Sequence, residues 1–163
     1  MLVILIAGAG TGALIDLATR RIPNSVVAVT AVVGLAAAVS GVSDVSFGSS
    51  LLGSGGGMFL MLPGHLFGGT GAGDVKLFGA AGAVMGVERI MWAFLYTVLA
   101  GGVLAVIWAL HRGRLTLTCR RLLGALGRSG RVRAAIESAG AHNRFPYGPA
   151  IAVGSVLAVF LRG

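Results

Sequence analysis

Six apolar runs fill most of this chain, at about residues 2–17, 25–42, 47–67, 75–86, 90–110 and 147–161. Each is continuous rather than alternating, which is the pattern of a helix buried or lipid-facing on every side. In hydrocarbon the backbone must satisfy its own hydrogen bonds, so such runs resolve into helices. A full crossing needs about 20 apolar residues, so the first, fourth and sixth runs are short and must tilt or end at the bilayer edge. Composition removes the alternatives. The 163 residues are 56% hydrophobic and only 11% charged, with a mean hydropathy of +0.91. Soluble domains carry about 25% charged residues, and disordered chains are polar. The expectation is an all-α, polytopic membrane protein with about six transmembrane helices, forming a single domain over residues 1–163.

Charge orients it. Thirteen Lys and Arg stand against five acids, for a net charge of +8. Arg20 and Arg21 follow the first run instead of preceding it, so that run does not read as a cleavable signal peptide. The positive-inside rule then puts the N-terminus outside. With six alternating spans, every Lys and Arg except Arg89 and Arg162 falls on the cytoplasmic side. Topology thus accounts for the basic excess, and no nucleic-acid partner is called for. The one sizeable polar stretch, 111–146, interleaves arginines with Leu115, Leu117, Leu122, Leu123 and Leu126. It reads as a basic cytoplasmic segment lying on the membrane surface, with arginines toward anionic lipid. Glycine pairs at four-residue spacing, Gly8/Gly12, Gly53/Gly57 and Gly82/Gly86, read as helix-packing positions. A lone Cys119 excludes an internal disulfide and a Cys-pair zinc site, and His65, His111 and His142 lack ligand spacing. Neither a metal nor a cofactor is expected.

The five acids are Asp16, Asp44, Asp74, Glu88 and Glu137. Asp44 and Glu88 fall in short external loops, and Glu137 lies among arginines. Asp16 and Asp74 differ. An acid within a span is a functional candidate by default. Asp74 follows Gly71-Ala72-Gly73 and could be a helix cap. Asp16 occupies the last turn of its run, where a carboxylate opposes the helix dipole. Both fall at the cytoplasmic end of the bilayer. Two carboxyl groups brought together share a proton, one activating water while the other polarises a carbonyl.

Three blocks carry a resemblance: Asp16-Leu17-Ala18-Thr19-Arg20-Arg21-Ile22-Pro23-Asn24, Gly71-Ala72-Gly73-Asp74-Val75-Lys76-Leu77, and Phe145-Pro146-Tyr147-Gly148-Pro149. In this order, across six runs, they resemble the prepilin peptidases, or type IV leader peptidases. The resemblance implies an aspartic endopeptidase of the inner membrane, with Asp16 and Asp74 catalytic and Gly71, Gly73 and Lys76 supporting the motif. Its substrate is a pilin-like precursor, whose basic leader is removed at the cytoplasmic face. Larger members carry two Cys-x-x-Cys pairs associated with N-methylation, so this chain is expected to lack methyltransferase activity. Two other readings stay open: a presenilin-like intramembrane protease, which shares Gly-x-Gly-Asp, and a non-enzymatic ion-coupled transporter subunit.

Overall fold

In a computed structural model, residues 2–19, 22–66, 69–111 and 147–162 are described. Arg20, Arg21, Phe67, Gly68 and 112–146, with Cys119, Glu137, His142 and the arginine-rich stretch, lie outside them. The described residues are helical and hold no strand: α1 (Leu2–Thr19), α2 (Asn24–Val39), α3 (Phe47–Leu66), α4 (Ala72–His111) and α5 (Gly148–Arg162). Every one of the six apolar runs falls in a helix, with the fourth and fifth together in α4. Two of the helical segments, Leu2–Thr19 and Ala72–Ile107, are long and apolar enough to cross a membrane.

α4 is not one straight rod. Gly86 leaves helical geometry, at φ 80° and ψ 175°. Phe78 and Phe94 lie eight residues to either side of it, and would be about 24 Å apart along a continuous helix. Their ring centroids are 6.2 Å apart. The chain therefore reverses at Gly86, and 72–85 and 87–111 form two antiparallel arms. A reversal in so few residues leaves helix-end groups without partners, and α3 supplies them. The Ser50 hydroxyl donates to the Ala83 carbonyl, and the Val87 N–H donates to Ser49 Oγ at 3.1 Å.

The first arm is the centre of the bundle. Leu77, Phe78, Ala80, Ala81, Ala83, Val84 and Met85 are all buried, as expected of a helix apolar on every side. The outer helices reach it through glycine. A Cβ on Gly12 of α1 would meet Leu77, one on Gly34 of α2 would meet Val84, and those on Gly53 and Gly57 of α3 would meet the arm's own backbone. Small residues let helices approach where burial from water supplies no drive. Many large side chains outside that arm point outward instead. Leu14, Val32, Leu99 and Phe160 are each more than half exposed, on four different helices. An apolar exterior around a glycine-lined interior suits hydrocarbon surroundings, and in water it would aggregate.

Candidate active site

All helix ends that matter for function meet at one end of the bundle. The reversal at Gly86 and the α2–α3 connection occupy the other end. Asp44 and Glu88 are exposed there: Asp44 lies in the α2–α3 connection as expected, whereas Glu88 lies in the first turn of the second arm and not in a loop.

Asp16 lies on the buried face of α1, in register with Leu5, Ala9, Gly12 and Ala13. It is 6% exposed. The dipole of α1 itself disfavours a carboxylate at this turn. The fold answers with a second helix. Gly148, the first residue of α5, donates its N–H to Asp16 Oδ2 at 3.1 Å. The carboxylate therefore sits at the positive end of α5, where an anion is favoured. The fit is close: a Cβ on Gly148 would fall 2.9 Å from Asp16 Oδ2 and 3.2 Å from Ala13 Cα.

Asp74, 7% exposed, occupies the first turn of α4. Its Oδ2 accepts the Gly71 N–H at 2.8 Å. This is the returning arm of a capping box, so the capping role of Asp74 is real. The turn before it is held by Gly69 and Thr70, whose N–H groups donate to the Gly64 carbonyl at 2.8 and 3.2 Å. His65 Nδ1 donates to the Thr70 carbonyl at 3.0 Å. Gly73 faces Ile22, and a Cβ on it would lie 3.2 Å from the Ile22 Cβ. Lys76 is exposed, and its ammonium donates to Asn24 Oδ1 at 3.3 Å, tying α4 to the start of α2.

Tyr147 and Gly148, adjacent in sequence, each neighbour one of the acids. Gly148 binds Asp16, and the Tyr147 phenol lies within electrostatic reach of Asp74. Tyr147 packs on Gly101 of the second arm, where a Cβ would come within 2.7 Å of its hydroxyl. Asp16, Asp74, Gly71, Gly73 and Lys76 thus all lie at one end of the molecule. The N–H of Gly148 is the partner that sequence reasoning missed. Its signal was the Tyr-Gly-Pro block itself, since a small residue just before a helix-starting proline marks a helix N-terminus.

Two buried carboxyl groups, each accepting a backbone N–H at a helix start, are suited to acid–base work. The sequence profile of the type IV leader peptidase family matches residues 3–106. No curated protein and no solved structure matches the chain.

Proposed function

The chain belongs to the type IV leader peptidase family, and from that premise we propose that it is a membrane aspartic endopeptidase with Asp16 and Asp74 as its catalytic pair. It removes the basic leader of a pilin-like precursor at the cytoplasmic face of the inner membrane. The observation that supports the reading is the convergence on one bundle end of two buried acids, each accepting a backbone N–H at a helix start. In this reading the helices cross the bilayer as six spans with the N-terminus outside, and Gly71, Gly73 and Lys76 support the Asp74 turn. The arginine-rich stretch rests on anionic lipid.

The chemistry is hydrolysis. The ionised carboxylate takes a proton from water as the water oxygen bonds to the scissile carbonyl carbon, and the protonated carboxyl gives its proton to the carbonyl oxygen. The tetrahedral adduct collapses with cleavage of the C–N bond: the first carboxyl gives the proton it took from water to the leaving amine, and a hydroxyl of the adduct returns its proton to the second carboxylate. The test is co-expression with a pilin-like precursor. Wild type shortens the precursor, whereas Asp16→Asn or Asp74→Asn lowers cleavage by about a hundredfold or more while still inserting. Undiminished cleavage by either variant rejects the pair.

A further inference from the structure

Asp16 and Asp74 stand on different helices that touch just below them. A Cβ on Gly12 of α1 would fall 3.0 Å from the Leu77 side chain of α4. Asp16 lies four residues from Gly12 and Asp74 three from Leu77, both toward the end of the bundle that holds the site. Each acid is therefore roughly 4.5–6 Å beyond that contact, and Asp74 shares a helical face with Leu77. The neighbouring face of the same turn carries Gly73 and Lys76, again three apart. The link from α1 to α2 grips this second face. A Cβ on Gly73 would lie 3.2 Å from the Ile22 Cβ, and the Lys76 ammonium donates to Asn24 Oδ1 at 3.3 Å. The Asn24 amide serves α4 and not its own helix, which starts from Pro23 without a side-chain cap.

We propose that Ile22, Asn24 and Lys76 are positioning residues: seated on Gly73 and pinned through Asn24 to Lys76, the α1–α2 link sets the rotation of the first turn of α4, and with it the gap between Asp16 and Asp74. The proposal rests on the peptidase reading and gives Lys76 a partner and a task. Gly12 offers no side chain to interlock with Leu77, so that contact sets a distance and leaves α4 able to roll. The glycine-mediated approaches of α3 to this arm are at Phe78, Gly79, Gly82 and Gly86, deeper than the turn that carries Asp74. Side chains reach about 5–6 Å from a helix axis, so a roll of about 10° moves a carboxylate by about 1 Å. A misplacement of that size can cost about 100-fold in rate. An exposed polar pair adds little to stability, so its loss is read in the chemistry and not in the melting temperature.

The experiment compares purified Lys76→Met, Asn24→Leu, their double variant and Asn24→Asp on a pilin-like precursor. Each apolar single variant is expected to lose about tenfold in kcat, with KM and melting temperature held. The double variant loses no more than either single, and Asn24→Asp, which keeps the acceptor, stays near wild type. A wild-type kcat in Lys76→Met overturns the proposal. So do losses that multiply in the double variant, which make the two residues independent, and a loss confined to KM, which makes Lys76 a substrate contact. A second measure needs no cleavage. Spin labels on Thr19→Cys and Ala72→Cys, both exposed positions, in a Cys119→Ser background report the spacing of α1 and the first turn of α4. The distance distribution is expected to broaden in Lys76→Met, and an unchanged distribution overturns the proposal. A wild type that leaves the precursor whole rejects the peptidase reading, while the label distances still decide on the brace.

Discussion

Asp16 has the wrong address within its own helix and the right one within the fold. Its carboxylate faces the carbonyl end of α1 and the amide end of α5 at once, and the Gly148 N–H offsets the unfavourable helix. Gly148→Val should therefore act on chemistry more than on binding. The added Cβ presses on Asp16 Oδ2 and Ala13, and with Asp16 catalytic as proposed, its displacement by a fraction of an ångström lowers kcat by on the order of 10–100-fold. Steady-state kinetics on a water-soluble peptide spanning the cut site check this: kcat falls while KM holds. A parallel rise in KM would point to a substrate contact instead. The two acids were legible in the sequence because charge is so scarce in it. The N–H that steadies Asp16 was not, since a backbone donor 132 residues away leaves no side chain to read. Ser49 and Ser50 were illegible for a related reason, as their value lies in carbonyls and amides that only the reversal exposes.

Among the elements, the fourth and fifth runs are the instructive case. Their separation was read from Val87-Glu88-Arg89 as a short external loop. The chain instead turns on Gly86, and the second arm begins directly after it. At φ 80° and ψ 175° the backbone is in territory that only glycine occupies at ease. A Cβ there would also lie 2.7 Å from Ser49 Oγ and 2.8 Å from Val45 Cγ1. Gly86→Ala is expected to destabilise the bundle by about 2–4 kcal/mol. A thermal shift in detergent reads it, and a melting temperature equal to wild type would mean that the turn has another solution. The glycine spacing in the sequence marked Gly82 and Gly86 alike as packing positions. Gly82 does pack, against the backbone of Gly53. Gly86 packs as well, close to Gly53, Ser49 and Val45, and also serves a dihedral angle, about which a spacing rule carries no information.

At the scale of the whole molecule, hydropathy showed a helical chain suited to lipid, and the structure adds which helix is central. The least exposed segment, 77–86, falls within the shortest run in the sequence, 75–86. Orientation remains a matter of charge, and one residue tests it. Cys119 is the sole cysteine. A membrane-impermeant maleimide should leave it unlabelled in intact cells and label it in inverted vesicles, and the opposite pattern would reverse the proposed topology. One further property follows from the contact between α1 and α5. The two acids belong to the first 74 residues, yet the donor that holds Asp16 arrives only with Gly148. A chain still being synthesised carries both acids without their finished arrangement. In the proposed reading, proteolytic competence is thereby deferred until α5 docks, so that a half-made enzyme is a silent one.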